Sequence, residues 1–154
     1  MTLNDILDAQ ALKVLSAVTS KKRLFQELGD VLGDCYDVKP QIIAEALQER
    51  ENLGPTGVGQ GIALPHARLD GLERVVGGFI RLERAVDFES VDRQPVDLVF
   101  ALLAPEDAGV EHLKALALVS RTMRNGALCG KLRANTDAAT LHTILTDHAG
   151  AKAA

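Results

Sequence analysis

The sequence predicts a single α/β domain in which helices cover both faces of a mixed, mostly buried β-sheet. Three observations carry that prediction. The chain has 154 residues, enough for one hydrophobic core and too few for two ordinary domains. Helical periodicity precedes and follows a central block of β-branched and apolar runs. Those runs crowd into residues 62–103, too tightly for regular β-α-β alternation, so antiparallel neighbours are expected among residues 75–103.

Taken in order, Leu12 to Val18 is the first candidate strand. From Ser20 to Gly33, Leu24, Phe25, Leu28, Val31 and Leu32 line one helical face, with Ser20 placed to cap and Gly33 to stop. A second helix is expected from about Pro40 to Arg50, because proline suits a first turn and Ile42, Ile43, Ala46 and Leu47 form a stripe. Four glycines between Gly54 and Gly61 dictate a loop. Ile62 to Leu64 reads as a short strand ended by Pro65, followed by strands at Val75 to Leu82, Ala85 to Phe88 and Pro95 to Leu103. Beyond the Ala104-Pro105 break, an amphipathic helix is predicted over about Gly109 to Arg124, ended by Asn125-Gly126. Two shorter helices, about Ala127 to Arg133 and Asp137 to Thr146, complete a domain of residues 1–148, leaving 149–154 as a flexible tail. No internal repeat is present.

Composition narrows the function. Hydrophobic residues make up 47% and charged residues 25%, which disfavours disorder. Seventeen basic residues against 21 acidic ones give a net charge of −4, and no basic stretch is interleaved with aromatics, so nucleic-acid binding is not expected. Lys21-Lys22-Arg23, the longest basic run, reads as the solvated first turn of a helix. No apolar run approaches the ~18 residues of a membrane span, and Met1 to Asp5 lack signal-peptide character. A cytoplasmic protein without direct membrane insertion is therefore expected. Cys35 and Cys129 stand far apart and fit reduced, buried thiols better than a disulfide or a metal pair.

Gly57-Val58-Gly59-Gln60-Gly61 superficially resembles a dinucleotide loop, but such a loop follows a strand and opens a helix, whereas here a helix precedes it and a strand follows. What it leads into is Pro65-His66-Ala67-Arg68, which places an imidazole at a strand end beside rigid backbone. One histidine among four is ordinarily a plain surface or core residue; the local context improves the odds of a working one without by itself reversing them. Neutral imidazole is a nucleophile near pH 7 and accepts a phosphoryl group reversibly. Such transfer asks for positioning and for donors around anionic oxygens. Arg50, Arg68, Thr56 and the main chain at Gly57 and Gly59 are the local candidates for that environment. His112, in the first turn of its helix, is a second donor candidate, where the alternative is an exposed residue beside Glu111. His142 and His148 are given no role. His66 and His112 lack the spacing of a metal site, and no G-x-S-x-G supports a serine hydrolase.

Glu49 to Gly59, Gly61 to His66, Gln94 to Leu103 and His112-Leu113 together resemble the enzyme IIA components of the fructose/mannitol class of the bacterial phosphoenolpyruvate-dependent phosphotransferase system. The likeness to the nitrogen-related, stand-alone member is strongest and extends over about residues 5–147. The R-E-x-x-G-x-T-G-x-G segment, the A-x-P-H strand end and the downstream H-L helix occur in the family's order. The resemblance implies a roughly five-stranded mixed sheet, His66 as phosphoryl acceptor on Nε2, and Arg50 and His112 flanking the phosphate. It implies a phosphorylated histidine-containing phosphocarrier protein as donor, no bound cofactor, and regulatory targets such as kinases or potassium transport components. A sugar-specific IIA serving a separate IIB component and a non-transferring interaction module are the alternatives. The chain departs from the family at Ala67, commonly glycine, and at Arg68, commonly lysine.

Overall fold

Residues 96–105 are apolar at nearly every position, which suits a strand buried on both sides. In the computed structural model they form β6 (Val96–Pro105), at the centre of the sheet. The other elements are α1 (Leu3–Ile6), β1 (Leu7–Leu15), α2 (Lys21–Tyr36), α3 (Pro40–Asn52), β2 (Gly57–Gly59), β3 (Ile62–Ala63), β4 (His66–Leu69), β5 (Val76–Val86), α4 (Gly109–Met123), α5 (Gly126–Arg133) and α6 (Ala138–Ala153). The structure describes residues 1–147 with their side chains, and the tail expected over 149–154 lies outside the described residues.

Strand order is β1-β5-β6-β3-β2, with β4 also paired to β6. β1 runs parallel to β5, and β5 antiparallel to β6. Ile62 and Ala63 face Leu98 and Val99, while His66 to Leu69 face Leu102 to Pro105, so β3 and β4 follow β6 in parallel at one continuous offset. They are a single strand interrupted at Leu64-Pro65, because proline has no N–H to give to the ladder. The mixed sheet therefore has six strands in five lateral positions, which accounts for the five expected.

One face of the sheet, including Leu12, Phe79, Leu98, Phe100 and Leu102, packs on Ala115, Leu118 and Val119 of α4, Leu128 and Leu132 of α5, and Leu141 and Leu145 of α6. The opposite face, including Val76, Ile80, Val99, Ala101 and Leu103, packs on Leu24, Phe25, Leu28 and Leu32 of α2 and Ile43 and Leu47 of α3. Helices cover both faces, as the periodicity requires.

Several boundaries differ from expectation for identifiable reasons. The first strand runs from Leu7 to Leu15, not Leu12 to Val18, and is preceded by the unanticipated turn α1. Ser20 caps α2 as expected, accepting a hydrogen bond from the Arg23 N–H at 3.0 Å. Gly33 does not stop that helix; α2 continues to Tyr36 and ends at Asp37, whose φ is 58°. Gly29 and Gly33 serve packing instead, since a Cβ on either would meet the Pro40 or Val38 carbonyl oxygen at 2.5–2.6 Å. Ala85 to Phe88 is not a separate strand, because β5 continues to Val86 with a register slip after Arg81. The glycine loop contains a strand, β2, antiparallel to β3. Gln60 and Gly61, both at positive φ, join the two as a tight two-residue turn. Cys35 and Cys129 are both free thiols; Cys129 is buried and Cys35 only half so.

Candidate functional site

β3 and β4 carry the chain along the buried central strand, and Pro65 sets the backbone between them. His66 opens β4, half-buried, and its Nδ1 lies 2.9 Å from the Leu64 carbonyl oxygen. A carbonyl only accepts, so the ring proton sits on Nδ1 and the Nε2 lone pair is free. Burial pushes the His66 pKa below its ordinary 6.5. The Leu64 carbonyl and Glu51 oppose that shift, and the Arg50 cation adds to it. The ring is therefore neutral at pH 7, as a nucleophile needs to be.

His112 lies in the first turn of α4 and is 7% exposed. Its ring meets that of His66 edge to face, the centroids 5.5 Å apart. Burial, then the His66 ring and the Arg68 cation, lower its pKa. Arg68 Nε–H donates to His112 Nδ1 at 3.3 Å, while His112 Nε2 is buried and pairs with nothing among the described residues. An unsatisfied buried donor costs about 1–3 kcal/mol, so the arrangement is incomplete without an acceptor.

Arg50, near the C-terminal end of α3, donates from Nη1 to the Gly54 carbonyl at 3.0 Å. It shares a cleft of about 380 Å³ with Ala46, Glu49, Leu53, His66, Ala67, Arg68 and His112. The structure thus brings together His66, His112, Arg50 and Arg68, which are up to 62 positions apart in the chain. A larger groove of about 780 Å³ between α2 and α3 is lined by residues such as Lys22, Phe25, Gln41 and Gln48 and includes no histidine.

Thr56, Gly57 and Gly59 do not line this cleft. The Thr56 N–H donates to both Glu51 carboxylate oxygens, at 3.0 and 3.3 Å, and its hydroxyl donates to Oε1. A Cβ on Gly57 would lie 2.2 Å from Ser90 Oγ, so that glycine admits the residue 90 side chain. Gly59, at φ 101°, sits beside Asp92, which accepts the Gln60 N–H at 2.9 Å. The glycine segment builds the β2–β3 hairpin that leads into His66.

Two residues to which the sequence reading gave no site role, Glu51 and Lys21, complete the frame. Glu51 is buried and pairs with Lys21 at 2.8 Å, and the Lys21 ammonium also stands 4.6 Å from the Phe88 ring centroid. Lys21 is thus not the solvated residue that the basic run suggested. From Glu51 a hydrogen-bonded path leads to His66: Thr56 binds Glu51, the Thr56 carbonyl accepts the Leu64 N–H at 2.9 Å, and the Leu64 carbonyl holds the His66 ring. No local motif signals the contact between Lys21 and Glu51, which tertiary packing alone creates. His142, given no role, spans the fold by bonding the Leu7 carbonyl at 2.9 Å.

A neutral imidazole with one nitrogen engaged, a second imidazole with an unspent donor and two guanidinium groups form an α/β site suited to an electrophile bearing anionic oxygens. A family model described as phosphoenolpyruvate-dependent sugar phosphotransferase system, EIIA 2, matches residues 5–148, and the chain belongs to that family. A nitrogen regulatory protein of Bradyrhizobium diazoefficiens is 45% identical over 145 residues, covering 94% of this chain and 95% of that one. A nitrogen regulatory protein of Escherichia coli is 36% identical over 151 residues, 97% and 93% of the two chains. The crystal structure of nitrogen regulatory protein IIA-Ntr from Neisseria meningitidis superposes with a TM-score of 0.85 at 37% identity, covering 92% of this chain and 97% of that one. Among the described residues no helix is long and apolar enough to cross a membrane.

Proposed function

We propose that this chain is a phosphoryl carrier of the nitrogen-related branch, taking a phosphoryl group onto His66 Nε2 from a phosphorylated histidine-containing phosphocarrier protein. Its phosphorylation state then governs binding to regulatory target proteins in the cytoplasm. The observation that carries this reading is the engaged Nδ1 of His66. With that nitrogen bonded to Leu64, attack falls to Nε2 in the cleft shared with Arg50, Arg68 and His112.

The transfer balances without an acid or base. A bond forms between Nε2 and phosphorus as the donor's N–P bond breaks, and the donor imidazole leaves with that electron pair. His66 keeps its Nδ1 proton, and the positive character its ring acquires is stabilised by the Leu64 carbonyl. Arg50 faces the phosphoryl oxygens' negative charge, and the unspent His112 donor supplies a hydrogen bond. The names of the relatives support the regulatory branch.

Incubation with phosphoenolpyruvate, enzyme I and the phosphocarrier protein, read by intact mass, tests the proposal. One acid-labile phosphoryl adduct on the wild type and none on His66→Ala is the expected result. An adduct retained by the variant, or none on the wild type with the carrier shown to be charged, would refute it.

A further inference from the structure

β4 places residues 66 and 68 on the same side of the strand, because side chains alternate with a period of two. Arg68 therefore shares the His66 cleft, and its Nε–H is given to His112 Nδ1 rather than left for an anion. That bond has a chemical consequence one ring away. A neutral imidazole carries one proton, and a nitrogen that accepts cannot hold it. The proton of His112 is then on Nε2, the atom that is buried and without a partner among the described residues.

We propose that Arg68 is a positioning residue: by donating Nε–H to His112 Nδ1, it fixes that ring as the neutral Nε2–H tautomer and turns a donor toward the group carried on His66. This deepens the phosphoryl-carrier reading and rests on it for the identity of the group, though not for the tautomer. Without Arg68, His112 samples the Nδ1–H tautomer and the imidazolium. In the Nδ1–H form a lone pair replaces the donor, and a lone pair repels a phosphoryl oxygen. The depressed pKa of His112, to which the Arg68 cation contributes, fits a ring kept neutral. Arg68 is itself exposed, so its removal leaves the core untouched.

The test has two readouts. Nitrogen-15 NMR of the unphosphorylated protein reports the tautomer directly and requires no transfer. The wild type should show a protonated Nε2 and an unprotonated Nδ1 at His112, and Arg68→Ala should move both signals toward averaged values. A wild type with Nδ1–H, or signals unmoved by Arg68→Ala, would overturn the assignment. The second readout is the rate of phosphoryl transfer in a cycle with His112→Gln, whose amide donates without tautomers. Arg68→Ala should slow transfer about tenfold beside His112 and less than about twofold beside Gln at that position. Equal slowing in both backgrounds would show Arg68 acting directly on the phosphoryl charge and would refute a positioning role. If the wild type takes no label at all, the carrier reading fails, and the NMR result still decides the tautomer.

Discussion

The Leu64 carbonyl and the burial of His66 act on one ring in opposite senses. The carbonyl favours the charged form, burial disfavours it, and burial prevails. His112 is shifted in the same direction, again chiefly by burial. With both folded-state pKa values below the unfolded 6.5, the unfolded chain binds more protons as pH falls through that value. Stability is therefore unaffected by these groups above the unfolded pKa and declines below it until the folded pKa is passed. Urea midpoints measured at about pH 7.5 and about pH 5.5 should show that decline in the wild type and a shallower one in His112→Gln. An equally steep decline in the variant would mean that other groups dominate. His66, Arg50 and His112 are legible in the sequence as candidates because their neighbours in sequence form motifs. Glu51 and Lys21 are not, since a buried carboxylate and its ammonium partner lie 30 positions apart with no local pattern between them.

At the scale of elements, α2 and α3 come close because α2 offers glycine where α3 begins. Replacing Gly29 by alanine sets two effects against each other. Alanine is the better helix former by about 1 kcal/mol. Its Cβ would stand 2.5 Å from the Pro40 carbonyl oxygen, a backbone atom that cannot rotate aside, and such overpacking costs about 1–3 kcal/mol. The clash should win, so Gly29→Ala is expected to lower the urea midpoint, and a rise would show that α3 gives way at little cost. The same geometry explains why Gly33 misled as a stop signal. Helix ends and close helix contacts both favour glycine, and a sequence alone does not separate them. The β2–β3 hairpin was hidden for a related reason. Glycines with positive φ read as loop, yet Gly59 ends β2 and Gly61 completes the two-residue turn that pairs it with β3.

Across the whole molecule, two clusters of apolar side chains share a single sheet, so neither can melt alone. Phe100 is fully buried on β6 and meets Phe79 edge to face with centroids 6.2 Å apart. Phe100→Ala should cost about 3–5 kcal/mol, a large part of the 5–15 kcal/mol that stabilises an ordinary domain. Because β5 and β6 contribute to both faces, unfolding should remain one transition. The chain has one tyrosine and no tryptophan, and Tyr36 on α2 donates its hydroxyl to the Gly77 carbonyl at 2.7 Å. Its fluorescence and the far-UV circular dichroism should therefore give coincident urea curves in wild type and variant, and separated midpoints would contradict shared cooperativity.

Apolar periodicity and turn chemistry by themselves determined the α/β class, the two-sided helical cover and the central strand, because each is written in neighbouring residues. The motifs around His66 likewise singled out that histidine, with Arg50 and His112, as candidate site residues. Tertiary structure decided what those groups face. It turned the Thr56 hydroxyl and N–H toward Glu51, placed Arg68 against His112, and left the buried His112 Nε2 without a partner among the described residues, on a ring that meets His66 edge to face. The difference is physical: backbone preference and burial are local and repeat with a period, whereas a hydrogen bond between residues 44 positions apart exists only once the chain has closed around its sheet.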